Sequence, residues 1–487
     1  MTPLTEITSQ PKKIVIIGGG ITGLSTAYYL QKEKRINGIP LSITLIEAGE
    51  KLGGKITTEK VDGFTIEGGP DCFLRQKPWA SELAEELGIG EELIGTNDDQ
   101  RKTYVLVNGK LTPLPDGVML IIPTKIMPFA FSPLISLSGK IRMGMDLFIP
   151  PFKGADDESV GDFIRRRLGE EALYKIAEPL MSGIHVSDPE KQSLLATFPR
   201  FRNIEQKHGS LIKGMLTQKK AANHQPLNPS KLNSLFISLK NGVEELINGL
   251  EHSLNECQIY TNTLATSILP AADRMYTVEL NNGESIGADV VVLAIPAYNA
   301  AKLLGSFHPK LANQLGKIPY VSTATISMAF RKQDIQKPFT GFGFVVPSTE
   351  NRDISACTWS SIKFNHRAPE DYLLLRCFVG GPGKEEMVDL TDDELFRLAH
   401  KELNLILGLS ADPVLTRVYR WKKANPQYEV GHLDRVKEMF SACAYETPGI
   451  YLTGSAYEGV GIPDCINQGK KTAGQLLQYI QQEQVYA

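Results

Sequence analysis

Gly18, Gly20 and Gly23 stand in Gly-x-Gly-x-x-Gly spacing where the β-branched run "KKIVII" passes into a helical pattern through Leu24, Ala27, Tyr28 and Leu30. This spacing suits a dinucleotide: Gly18 allows a tight turn, Gly20 lets a pyrophosphate approach the backbone, and Gly23 lets the helix pack on its strand. The helix N-terminus, carrying roughly half a positive charge, then faces the phosphates. Glu47 closes the next strand, "ITLIE", 24 residues after Gly23, which puts a carboxylate where a ribose diol would bind.

Two further stretches choose between nicotinamide and flavin. In "EAGEKLGGKITT", Gly53-Gly54-Lys55 follows the ribose carboxylate closely. It resembles the second signature of the large flavoprotein superfamily with two dinucleotide-binding domains, which includes the amine oxidases, so FAD is favoured over NAD. In the tail, "YLTGSAYEGVGIPDC" delivers a strand, Gly454 and a loop to the start of a helix near Pro463. A helix N-terminus there would stabilise negative charge on a flavin pyrimidine. Relatives often carry Gly-Asp at this strand end, whereas this chain has Gly454-Ser455. Neither "GFGFVV" nor "GVGIPD" completes a second Gly-x-Gly-x-x-Gly, so oxygen rather than a nicotinamide is the expected partner for reoxidation.

These groups need elements to hold them. A βαβ unit opens the chain, and helix and strand alternate again from about residue 233. Runs such as "STATISMAF", "ISACTWSS" and "YLLLRCFVG" between 321 and 421 predict a largely antiparallel sheet, and residues 106–232 read as a helical insertion. The expected domains are an FAD-binding unit of 1–68, 233–305 and 422–487, a substrate-binding unit of 69–105 and 306–421, and the insertion. With 52 basic and 55 acidic residues, no overall field marks a nucleic-acid binder. Six scattered cysteines predict neither a disulfide framework nor a metal site. The polar N-terminus predicts no secretory leader. Prolines 123, 128 and 133 break the apolar run at 117–137, which excludes an uninterrupted spanning helix and leaves open a membrane-surface role, a cavity wall or a buried loop pair.

The motifs "GGGITGLSTAYYL", "LIEAGEKLGGKI", "VDGFTIEGGPD", "LMSGIHVSD", "RWKKANPQYEVGH" and "EGVGIPDCINQGK" follow in this order. Together they resemble the protoporphyrinogen and coproporphyrinogen oxidase family, in its Gram-positive form, over nearly the whole chain. The resemblance implies an α/β architecture of the p-hydroxybenzoate-hydroxylase type: a discontinuous Rossmann-like FAD domain, a mixed-sheet substrate domain and an inserted helical domain, membrane-associated in related enzymes. It implies non-covalent FAD, oxidation of coproporphyrinogen III to coproporphyrin III with oxygen yielding hydrogen peroxide, and a place in heme synthesis. Protoporphyrinogen IX oxidase is the alternative reading, and a non-catalytic porphyrin-binding flavoprotein the alternative of another class. A cytoplasmic monomer with at most peripheral contact at the inner face of the membrane is expected, and a transient contact with ferrochelatase is left open.

Residue by residue, the resemblance implies that Gly18, Gly19, Gly20, Ile21, Thr22 and Gly23 hold the pyrophosphate, and Glu47 and Ala48 the adenosine ribose. Lys55, Gly69, Pro70, Asp71 and Cys72 approach the flavin, Ala265 meets the adenine through its backbone, and Trp421, Val460, Gly461 and Ile462 flank the isoalloxazine. Lys77 is the candidate catalytic residue, as a propionate or transition-state contact. Relatives usually carry Glu-Arg-Gly-Pro where this chain has Glu67-Gly68-Gly69-Pro70, so Arg75 or another group must supply the cation, unless none is needed. The run Arg165-Arg166-Arg167 reads as a solvated helix face, and His185 as a capped loop residue. No histidine sits in a nucleophilic triad pattern, as suits chemistry carried by a cofactor.

Overall fold

The computed structural model describes residues 10–115, 118–119, 122–123, 126–222, 234–272 and 275–486. The chain opens with β1 (Lys12–Ile17), α1 (Ile21–Asn37) and β2 (Leu41–Ile46), followed by a hairpin of β3 (Thr58–Val61) and β4 (Phe64–Glu67). Next come β5 (Thr103–Val107) and β6 (Lys110–Pro113), and the helical region with α2 (Ile126–Phe131), α3 (Leu137–Gly144) and α4 (Val160–Leu168). The second half contributes β7 (Cys257–Tyr260), β8 (Val290–Leu293), β9 (Tyr320–Arg331), β10 (Gly343–Val345), β11 (Ala356–Thr358) and β12 (Tyr372–Gly380). It closes with α5 (Asp392–Leu407), β13 (Leu415–Pro426), α6 (His432–Tyr445), β14 (Ile450–Leu452) and α7 (Ile462–Tyr486).

Two sheets organise these elements. The first, in order β7-β2-β1-β8-β14, is parallel throughout. Its strands are continuous apolar runs because both faces are covered, one by α1 and α7, the other by Leu303, Leu311 and Met439 among others. Strands from opposite ends of the sequence meet here, which makes the nucleotide unit discontinuous.

The second sheet runs β13-β9-β12-β11-β10-β5-β6 and is antiparallel except where β10 pairs with β5. Its two faces differ, as a period of two residues requires. Ala324, Ile326 and Met328 of β9, with Leu373, Leu375 and Cys377 of β12, pack against Leu395, Ala399 and Leu403 of α5. The alternate residues form cross-strand rows, Arg417–Ser327–Arg376–Thr358 and Tyr419–Thr325–Phe378–Ala356. This polar face turns towards the nucleotide unit and, through Val345 and Val105, towards the helical region. Asp62 and Gly63, with φ of 48° and 80°, form the tight turn between β3 and β4.

Some boundaries differ from the sequence reading. Strand β13 runs through the border expected at 421/422, because "RWKKA" contains no turn residue and the strand ends only at Asn425-Pro426. Strand β5 likewise crosses 105/106, and β5 and β6 extend the second sheet, so among the described residues the first helix of the insertion starts at Ile126. The arginine run does not lie on one solvated face. Successive helical residues point about 100° apart, so Arg165 reaches Asp162, Glu170 and Glu190 at the surface while Arg167 is fully buried on Asp146. The side chain of His185 and much of the 117–137 run lie outside the described residues. No helix among the described residues is long and apolar enough to cross a membrane.

Candidate functional site

The glycine turn is built by close backbone approach. A Cβ at Gly23 would lie 1.9 Å from the Gly18 carbonyl oxygen, so only glycine lets α1 start so near β1. At Gly20 nothing in the protein lies within 4 Å of a built Cβ, which leaves an open cradle at the helix N-terminus. Glu47 is fixed beside it: one carboxylate oxygen accepts from the Gly19 N–H at 2.7 Å and the other from the Gly49 N–H at 2.7 Å. The second glycine pair docks onto the first, since the Gly53 N–H donates to the Gly19 carbonyl and Gly54 packs on the Gly20 Cα. Ile21 and Thr22 bury their side chains, so their main-chain N–H groups are what they offer a ligand. Ala48 is exposed beyond Glu47. Ala265 is buried in the core next to the sheet, two residues after Thr263, whose N–H donates to the Glu47 carbonyl.

A second set of contacts continues from this cradle. Gly69 packs so tightly on Lys55 that a Cβ there would meet its carbonyl oxygen at 1.7 Å. The Gly68 carbonyl accepts from Trp421 Nε1 at 2.9 Å, Thr325 Oγ1 at 3.1 Å and Arg376 Nη2 at 3.2 Å, and Arg376 also donates to the Gly69 carbonyl. The buried Arg376 guanidinium thus lies against position 68, while Arg75 donates to the Ser234 carbonyl. Lys363 Nζ lies 2.7 Å from Asp71 Oδ2 and 3.3 Å from Cys72 Sγ. Burial alone would raise the Asp71 pKa, but Lys363 and Arg376 outweigh it and hold this carboxylate well below the usual range. Burial, reinforced by Asp71, pushes the Cys72 thiol up to about 12, so it stays protonated near neutral pH. Glu67, immediately before Gly68, is pushed up to about 7 by burial, against the pull of Arg367 and the Thr58 hydroxyl.

The tail loop 454–461 is held on several sides. Gln468 accepts from the Gly454 N–H and donates to the Gly459 carbonyl. The Tyr428 hydroxyl donates to the Ser455 carbonyl at 2.7 Å and accepts from the Gly459 N–H at 2.8 Å. His432 stacks on the Tyr428 ring at 4.0 Å and bonds the Tyr457 carbonyl through Nε2, which must therefore carry the proton. Burial lowers its pKa to about 4, so the ring is neutral near pH 7. Val460, Gly461 and Ile462 lead into the N-terminus of α7. Lys77 reaches the same helix end, with Nζ 2.6 Å from both carboxylate oxygens of Asp464.

The expected residues therefore connect from Glu47 through the glycines, Lys55 and Gly69 to Trp421, and through Ser455 to the tail loop. The sequence reading missed Lys363, Arg376, Tyr428, His432 and the half-buried Phe378 on the polar face. The arginine inside the apolar strand "YLLLRCFVG" was the available signal for Arg376, and Tyr428 and His432 lie within the quoted "RWKKANPQYEVGH".

The donor set fits a flavin dinucleotide. The open space at Gly20 admits a diphosphate, Glu47 presents oxygens to a ribose, and among the described residues the half-buried Lys55 ammonium has the Ala424 carbonyl and the Ser455 hydroxyl as its hydrogen-bond partners. A profile of the flavin-containing amine oxidoreductases matches residues 21–477. Coproporphyrinogen III oxidase of Bacillus subtilis (strain 168) is 42% identical, with 96% of this chain and 98% of that protein covered. The Staphylococcus aureus (strain NCTC 8325 / PS 47) protein of the same name is 36% identical over 96% and 99%. Protoporphyrinogen oxidase 1, chloroplastic, of Arabidopsis thaliana is 30% identical over 94% and 87%. A crystal structure from Exiguobacterium sp. 255-15 superposes with a TM-score of 0.85 at 36% identity, covering 96% of this chain and 98% of that one. Reduced UDP-galactopyranose mutase shares the fold, with a TM-score of 0.70 at 18% identity and 96% of each chain covered. The chain belongs to the flavin-containing amine oxidoreductase family, and it is an oxidoreductase with FAD as its cofactor.

Proposed function

We propose that this flavin-containing amine oxidoreductase oxidises coproporphyrinogen III to coproporphyrin III, with oxygen as acceptor and hydrogen peroxide as by-product. The observation that carries this reading is the full-length 42% identity to a coproporphyrinogen III oxidase, on a chain whose cofactor cradle faces a polar sheet wall. Bound FAD would supply the two-electron acceptor. The protein's own tasks are to hold it through Gly18–Gly23, Glu47, Ala48, Ala265, Lys55, Gly69–Cys72, Trp421 and Val460–Ile462, and to orient a large flat tetra-acid against it. Removal of six electrons and six protons from the macrocycle matches reduction of three oxygen molecules to three of peroxide.

Lys77 is the proposed propionate contact. An ammonium has three donors, and Asp464 takes two, leaving one N–H for substrate. Hydrogen bonds to charged groups contribute about 1.5–3 kcal/mol. Lys77→Ala should therefore lower kcat/KM for coproporphyrinogen III about tenfold or more, and for the two-propionate protoporphyrinogen IX less. Equal losses on both substrates would remove Lys77 from substrate recognition. Anaerobic mixing with coproporphyrinogen III should bleach the oxidised-flavin absorbance within turnover time; an unbleached flavin would leave only porphyrin binding without catalysis, and faster bleaching by protoporphyrinogen IX would favour that substrate.

We also propose a cytoplasmic monomer that touches the membrane peripherally. Met127, Phe131, Leu137, Ile141 and Phe148 are between 63% and 85% exposed within α2, α3 and the turn after them, a cluster suited to an apolar surface. A porphyrin product is a substrate for metal insertion, which supports ferrochelatase as a transient acceptor.

A further inference from the structure

We infer that the Lys55 ammonium is the counter-charge for the pyrimidine edge of the flavin, and that its pairing with Ser455 rather than with a carboxylate keeps that charge available to the cofactor. The inference goes beyond the proposed reaction and rests on FAD alone, whatever the substrate.

Position along the parallel sheet decides which end of the cofactor Lys55 serves. Glu47 ends β2, and the glycine turn leaves β1. Ser455 follows the end of β14, two strands beyond β1 with β8 between them. At about 4.8 Å per strand, that is roughly 10 Å from the phosphate cradle, on the side away from the ribose carboxylate. An extended FAD whose ribose is at β2 and whose diphosphate is at β1 has its ribityl chain and flavin at that distance. Lys55 Nζ is held there, 3.5 Å from Ser455 Oγ and hydrogen-bonded to the Ala424 carbonyl, next to the strand that carries Trp421.

The charges around it are unequal. At the N-terminus of α7, Asp464 is matched by Lys77. At the segment 69–72, Asp71 is matched by Lys363. Among the described residues no carboxylate lies within ion-pair distance of Lys55, so a half-buried, partly desolvated cation has two neutral oxygens as partners. Buried charges are ordinarily paired. A flavin that takes up two electrons and one proton gains one net negative charge, and that charge would complete the pair.

The test is the flavin midpoint potential of the purified holoenzyme, measured by dye equilibration without porphyrinogen, together with the affinity for FAD. Lys55→Met should shift the ratio of reduced to oxidised flavin at fixed potential at least tenfold towards the oxidised form, or about 30 mV for a two-electron couple. Affinity for oxidised FAD should change less than that ratio. Ser455→Asp keeps the lysine but gives it a carboxylate, and should shift the potential in the same direction; it decides the matter if Lys55→Met does not fold. An unchanged potential in either variant overturns the inference. Weaker FAD binding at unchanged potential would assign Lys55 to the diphosphate instead.

Discussion

The cofactor cradle and the cleft wall opposite it both manage negative charge, by different means. At the cradle, Gly18 to Gly23 and Gly53-Gly54 bring main chain and a helix end together, and the Glu47 carboxylate is held by the N–H groups of Gly19 and Gly49. On the wall, Lys363, Arg376 and Arg367 do the work with long side chains that are each matched by a carboxylate or a carbonyl. Main-chain chemistry depends on absent Cβ atoms and is unforgiving of added volume. Side-chain chemistry depends on pairs and is unforgiving of a lost partner.

The largest effect should come from filling the cradle where backbone meets backbone. Gly23→Ala sets a Cβ 1.9 Å from the Gly18 oxygen, and no flexible side chain is there to yield. The cost should exceed the ~1–3 kcal/mol of ordinary overpacking. Little flavin-loaded, folded protein should be recovered, as read by flavin content and thermal unfolding. Full flavin content at unchanged unfolding temperature would show that the turn relaxes, and the contrast with the wall would weaken.

On the wall, Lys363→Met should cost about 3–5 kcal/mol, because it leaves the Asp71 carboxylate in place without its cation. The double variant Lys363→Met with Asp71→Asn should recover most of that loss in denaturant unfolding. If the double variant is no better than the single, the wall is held by packing rather than by paired charge.

The same contrast explains what could be read from the chain alone. Glycines separated by two and three residues, with a carboxylate at the end of the next strand, are local, and their chemistry belongs to the backbone; Gly18, Gly20, Gly23 and Glu47 were legible for that reason. The charge pairs join residues 292 apart at Asp71 and Lys363 on the wall and 387 apart at Lys77 and Asp464 at the tail helix. Nothing local distinguishes Lys363 from a surface lysine, so its partner and burial were invisible. The two-faced second sheet was legible as strands. That its polar face looks inwards follows only from where β4 and Gly68 dock on it.

A smaller effect should separate the tail loop from both regions through pH. His432 is buried and neutral, with its pKa lowered from 6.5 to about 4. A base depressed in the folded state contributes stability above its unfolded pKa, and that contribution is lost as pH falls from about 6.5 to 4. The full loss is roughly 3 kcal/mol. His432→Gln, which can still donate to the Tyr457 carbonyl, should lose less stability than the parent between those pH values in urea unfolding. Equal slopes would mean that the imidazole is hydrated and titrates normally.

The smallest change tests whether the cradle's empty space belongs to the cofactor. Gly20, whose φ of −73° suits any residue, differs from Gly23 in one respect that matters: a Cβ there meets nothing of the protein. If that space is where the diphosphate approaches the backbone, Gly20→Ala should leave the stability of the cofactor-free protein within about 0.5 kcal/mol of the parent. FAD affinity should fall about tenfold, or ~1.4 kcal/mol, measured by fluorescence titration of the stripped protein. Two glycines three residues apart would then fail in opposite ways, one by preventing the turn and the other by obstructing only its ligand. Unchanged affinity in Gly20→Ala would place the diphosphate elsewhere along α1.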